Sequence, residues 1–166
     1  MNKLNQADIE EAMSVLTVFC SQRSWEVVYS NKNQDYYHNN RITLYKKRKP
    51  EILYYNFLHE IGHAWMLNYD ESYEEKYSEL LRRPKRFGTL TYKISKLQEE
   101  IEAWDIGKMV ATGLKLPINV SKFEKNRAEC LSSYLRWASG SKGKKHGTES
   151  DDDVASNNDG VIQKVR

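Results

Sequence analysis

The chain has 166 residues, and its 26 Lys and Arg against 23 Asp and Glu leave a net charge of only +3. That length suits one domain, and the small excess of charge does not by itself mark a nucleic-acid binder. No apolar run approaches the ~18 residues of a membrane span, so no membrane partner is expected.

The N-terminus, MNKLNQADIEEAM, carries acids where a signal peptide needs an apolar core, so a cytoplasmic location is expected, in the host cytoplasm if the chain is viral. Residues 5–22 read as an amphipathic helix. Asn5 can cap it, Asp8 lies in its first turn, and Ile9, Met13, Leu16 and Phe19 or Cys20 form its apolar stripe. Trp25 to Ser30 is β-rich, and Asn31 to Asn40 reads as a polar connection. Arg41 to Lys47 alternates buried Ile42 and Leu44 with outward residues, as a strand with one buried face does. Cys20 and Cys130 stand alone in sequence, and free thiols are expected of both.

The next element carries the chemistry. Lys49-Pro50-Glu51 reads as a helix start, with proline in the first turn and an acid near the positive end of the helix dipole. Ile52, Leu53, Phe57, Leu58, Ile61, Ala64, Trp65 and Leu67 then recur at helical spacing, predicting a core helix of about 17 to 20 residues. Within it stands His59-Glu60-Ile61-Gly62-His63. Residues four apart share a helix face, so His59 and His63 can address one metal ion, and Glu60 can reach a water beside it. In the HExxH pattern the two histidines hold Zn²⁺ and the glutamate is the general base. Gly62 is out of place in a helix interior, at about 1 kcal/mol relative to alanine. The close approach of another backbone, such as a strand, would account for it.

A catalytic zinc usually takes a third protein ligand. Met66 and Tyr69 exclude the extended three-histidine motif, His38 lies in a polar run, and His146 lies near the C-terminus. A carboxylate from a second helix is therefore expected, and Lys93 to Ala111 is the candidate. Ile94, Leu97, Ile101, Trp104 and Lys108 or Met109 mark one broad stripe there. Glu99 and Glu100 read as a solvated face. Glu102 borders the stripe beside Ala103 and Trp104 and is the expected ligand, with Glu99 one turn earlier in reserve. Asp105 is either an acceptor for a ligand histidine N–H or a surface acid.

Asp70 to Gly88, between these helices, is charged and tyrosine-rich. A short helix is expected from Tyr73 to Leu81, broken at Pro84, forming either a lid or a solvated excursion. The basic runs Lys46 to Lys49 and Arg82-Arg83 with Lys85-Arg86 read as solvated, with a patch for nucleic acid as the alternative; no nucleic-acid motif accompanies them. Ser121 to Trp137 reads as a last helix, its buried face made by Phe123, Arg127, Cys130, Leu131, Tyr134 and Trp137. From Ser139 the chain is rich in Gly, Ser, Asn and Asp and lacks aromatics, so the expected organisation is a domain over 1–138 and a disordered tail over 139–166.

HEIGHAW, followed 39 residues after His63 by Glu102 in EEIEAWDIG, resembles the glutamate-zincins (gluzincins). In these a second helix supplies a glutamate, commonly followed by alanine. Glu102 to Pro117 is also similar to the ImmA/IrrE branch, although Trp104 and Ile106-Gly107 replace that branch's usual residues. The resemblance implies a minimal zincin-like α+β fold, with a small antiparallel sheet packed on the HExxH helix and the Glu-bearing helix. The strand at 41–45 would be the edge that pairs with an extended peptide. It also implies a zinc metallopeptidase acting on a peptide or protein, with Zn²⁺ on His59, His63 and Glu102 and with Glu60 as base. Tyr134, Arg127, Tyr92 and Tyr69 are the candidates for stabilising the oxyanion. A regulatory module that keeps the zincin fold without hydrolysis is the reading from a different class.

Overall fold

The structure is a computed structural model that describes residues 4–81 and 88–140. Helix α1 (Gln6–Ser21) opens with a capping box: Asn5 accepts from the Asp8 N–H, and Asp8 accepts from the Asn5 N–H. Three strands follow, β1 (Glu26–Ser30), β2 (Tyr36–His38) and β3 (Arg41–Tyr45). Then come α2 (Pro50–Tyr69), the short α3 (Tyr73–Lys76) and α4 (Ser78–Leu81), α5 (Leu90–Gly113) and α6 (Val120–Ser139). This is a mixed α+β fold dominated by helix. No helix among the described residues is long and apolar enough to cross a membrane.

Helix α2 is the hub. It packs against α1, β2, β3, α5 and α6. Tyr54, Tyr55, Phe57, Leu58, Ile61, Ala64 and Met66 are all completely buried, covering more than one helical face, as a helix enclosed by neighbours requires. Each large apolar side chain there contributes about 1.5–3 kcal/mol by leaving water. Pro50 starts this helix and Glu51 lies in its first turn, matching the sequence reading.

The sheet departs from expectation in three respects. Its order is β1-β3-β2, with β1 parallel and β2 antiparallel to β3, so the sheet is mixed and not antiparallel throughout. β2 lies inside the stretch read as a polar connection. It forms because Asn39 and Asn40 both adopt positive φ, 47° and 58°, which closes a two-residue hairpin whose twist suits paired strands. β3 is the central strand and not an edge. Glu26 to Ser30 pairs along all of it and Tyr36 to His38 along part of the other side, so it is not the open edge expected for an extended peptide.

A polar chain ties the sheet to the helices. Asp35 accepts from the Tyr45 N–H at 2.5 Å, the Arg48 guanidinium at 2.6 Å and the Asn56 amide at 2.8 Å. Asn126 of α6 in turn donates to Asn56 at 2.9 Å. With every buried partner satisfied, such a network fixes one arrangement of loop, α2 and α6.

The expected helix over 73–81 is two short helices that break at Tyr77, and Pro84 lies outside the described residues. So do the basic run at 82–86, His146 and the tail from 141 onward. The insert's Tyr73 and Tyr77 are buried with Met66 and Ala103, so this part is docked and is not a solvated excursion. Gly140 ends α6 in the left-handed region at φ 67°. Cys20 is buried, Cys130 is half-buried, and both are free.

Candidate metal centre

The seam between α2 and α5 positions the site. A β-carbon on Gly62 would lie 2.0 Å from the carbonyl oxygen of Ala103, and one on Gly107 would lie 2.4 Å from that of Leu58. The two helices therefore touch backbone to backbone at both points, and the pairing 62 with 103 and 58 with 107 makes them antiparallel. Gly62 owes its place to the backbone of a second helix and not of a strand. His59 and His63 lie beside this contact, and any group on the adjacent face of α5 is held against them.

That group is Glu100. Its Oε2 lies 3.2 Å from His59 Nε2 and its Oε1 lies 3.6 Å from His63 Nε2. The two Nε2 atoms are 3.2 Å apart. One ligand atom from each of the three residues falls within 4.8 Å of the others, a set that could hold a metal ion. Two imidazole nitrogens and a carboxylate are the donors that a zinc-type cation takes.

Glu102, the ligand expected from sequence, is directed elsewhere. Its carboxylate receives the Lys76 ammonium at 3.0 Å and the Tyr77 hydroxyl. The physical reason is the face of α5 that is buried. Ser95, Glu99, Glu100, Ala103, Trp104, Gly107, Val110 and Ala111 point inward, whereas Ile94 and Met109 are exposed. The apolar stripe misassigned the helix because its inner face shares only Trp104 with that stripe and is otherwise built mostly of small and charged residues. Small residues at 103, 107 and 111, spaced to meet Gly62, were the available signal, and one helical turn before Ala103 on that face lie Glu99 and Glu100.

Glu99, the reserve, is buried too and does different work. Its Oε1 lies 3.6 Å from His63 Nδ1 and accepts the Tyr73 hydroxyl at 2.8 Å. It thus stands where an acceptor for the His63 ring would stand, the place offered to Asp105. Asp105 instead pairs with Arg127 at 2.8 Å on the surface. His59 Nδ1 is buried with no hydrogen-bond partner among the described residues, and its ring is stacked on Trp104 at 4.5 Å. Lys96 Nζ lies 2.7 Å from Glu99 Oε2 and 2.9 Å from Glu100 Oε1.

The electrostatics follow from burial among these charges. Burial holds the His59 imidazole below its ordinary value. Burial opposes charge on His63 as well, but the Glu100 and Glu99 carboxylates override it and hold the ring up at about 10. Glu99 is likewise buried, yet Lys96 and His63 pull it down to about 2. Glu100 is held well below the carboxylate range by the same two cations and by its bond to His59, again against burial. Glu60, 5 % exposed, is pushed up to about 8 by burial. A cation bound by the two imidazoles must therefore displace a proton from His63.

No family model matches the chain, and no match was found among curated proteins or solved structures.

Of the four residues considered for an oxyanion, Tyr134 lies near Glu100: burial first, and then that carboxylate, hold its hydroxyl above its ordinary value. Arg127 is engaged by Asp105 and Glu124. Tyr69 packs on Trp25 and Trp65, and Tyr92 packs on Trp137. His38 lies on the exposed strand β2.

Proposed function

We propose that this chain is a zincin-like, metal-dependent peptide-bond hydrolase in which His59, His63 and Glu100 hold a zinc-type cation and Glu60 is the general base. The observation that carries the reading is the convergence of three ligand atoms within 4.8 Å, from two helices locked together by Gly62 and Gly107. When bound, the cation would supply Lewis-acid polarisation of a carbonyl and of the attacking water.

The chain's own residues supply the rest. Glu60 is next to His59 in sequence and buried, and burial raises its proton affinity toward the range in which a carboxylate both takes and returns a proton near neutral pH. Glu99 faces His63 Nδ1, and the ring's Nε2 is turned toward His59 Nε2 and Glu100, where the cation would sit. Trp104 stacks on His59 and limits the rotation of its ring. The helix pair keeps these groups in place, so little reorganisation is needed when substrate arrives.

The test combines metal analysis with turnover on a peptide library. Glu60→Gln should keep one equivalent of zinc and lose hydrolysis, by roughly two to four orders of magnitude for a lost general base. Full turnover in that variant would sink the mechanism. A second reading, a regulatory module that holds the metal for structure, is favoured by how closed the site is: the side chains of His59 and His63 are 11 % and 12 % exposed. Stoichiometric zinc with no turnover on any peptide would select it.

A further inference from the structure

Lys96 has no role in the proposed function, yet it makes two of the shortest ion pairs of the site. It stands three residues before Glu99 and four before Glu100, the two offsets that share a helix face, so one ammonium reaches both carboxylates. Those carboxylates are 5 % and 3 % exposed and occupy successive positions. Without a cation their charges would stand buried against one another, which a protein interior tolerates poorly. Other groups facing them include His59, His63, Glu60, the hydroxyls of Tyr73, Tyr77, Tyr92 and Tyr134, and the Cys130 thiol.

The contact is also specific in its atom. Glu100 Oε1, which receives Lys96 at 2.9 Å, is the oxygen that faces His63 Nε2 at 3.6 Å. A metal ion seated between the imidazoles and this carboxylate would share Glu100 with the ammonium, directly at Oε1 or through the same carboxylate at Oε2, the oxygen 3.2 Å from His59 Nε2. It would also lie within several ångströms of a second positive charge, where repulsion inside a protein is considerable.

We propose that Lys96 is a resident cation of this site: it holds Glu99 and Glu100 together in the metal-free chain and competes with an incoming divalent ion for Glu100. This rests on the metal-binding reading of His59, His63 and Glu100. Its consequence is a site that stays assembled without metal and binds it more weakly than its ligand set alone would dictate.

The experiment uses the full chain, with Zn²⁺ and Co²⁺ affinities measured by competition against a chromophoric chelator and melting followed with and without metal. Lys96→Met keeps the stem and removes the charge. It should bind both ions at least ~10-fold more tightly than the parent. It should melt lower in chelator, and saturating zinc should close that gap. Lys96→Arg should bind metal like the parent. Should the methionine variant not fold, Lys96→Gln, which retains a donor for the carboxylates, should show the same gain in affinity. Equal or weaker metal binding in a folded, uncharged variant overturns the inference and leaves the metal site standing. Binding by the variant alone sustains it, with the lysine then excluding the metal outright. Failure of the parent and of both neutral variants to bind either ion removes the metal site and this inference together, even if the methionine variant melts lower in chelator.

Discussion

Alanine at position 62 is the most direct test of how the site is built. The added methyl would sit 2.0 Å from the Ala103 carbonyl oxygen and 2.7 Å from its carbon, where ordinary contact begins near 3.4 Å. Both atoms belong to the main chain of α5, so no side-chain rotation relieves the clash, and the helices must part by roughly 1 Å. A gap of that size forfeits about a quarter to a half of each dispersion contact across the seam. Spread over the buried Leu58, Ile61, Ala103 and Trp104, this amounts to about 2–4 kcal/mol. Alanine returns ~1 kcal/mol through its better helix propensity. The expected net loss is therefore about 1–3 kcal/mol, read as a lower urea midpoint at unchanged slope in the presence of chelator. Parting the helices also draws Glu100 from the imidazoles, so zinc affinity should fall in the same variant. Equal or greater stability for Gly62→Ala, with unchanged metal affinity, would refute both the close contact and its role in placing the ligands.

Other outcomes separate the acids of α5. Glu100→Gln should weaken zinc binding by more than the ~10–100-fold typical of a group that only orients a ligand, whereas Glu102→Gln should leave it near the parent value. Metal competition titrations read both, and a large loss at position 102 would return the ligand to the residue chosen from sequence. For Glu99, held at about 2 in the folded chain against an ordinary 4.5, the unfolded chain binds more protons between those values. Its contribution is complete above pH 4.5 and is lost as pH falls through 2. Denaturation in chelator should show that acid branch flattened in Glu99→Gln. Finally, burial pushes the Cys20 thiol up to about 12, so iodoacetamide at pH 8 should label it only after denaturation; rapid labelling of the native chain would contradict its enclosure.

The parts of this molecule legible in the sequence are those where one physical demand acts alone. Asn5 and Asp8 announce α1 because capping is a local matter, and Pro50 does the same for α2. The convergence of His59 and His63 is legible because four-residue spacing is all that it needs. The inner face of α5 was not, since two demands compete there. Packing against Gly62 calls for small residues, and the site calls for charged ones, which confines the apolar periodicity to 103–111 and leaves none over Ser95 to Glu100. Ile94 and Met109 supplied a periodic signal that faces solvent. β2 was missed for another reason: a three-residue strand has little pattern of its own, and its hairpin depends on two asparagines tolerating left-handed backbone.

The strand order carries a consequence for how the chain reaches its fold. β2 and β3 are neighbours in sequence, joined by Asn39 and Asn40, and can pair as soon as that turn closes. β1 must instead align parallel to β3, after the chain at 31–35 has passed across the end of the sheet and Asp35 has found Tyr45 and Arg48. Loop closure sets the order: the two-residue hairpin forms early, and β1 docks onto a ready-made edge. Kinetic measurements should therefore find substitutions at Tyr37 or Ile42 slowing refolding, while those at Val27 mainly hasten unfolding.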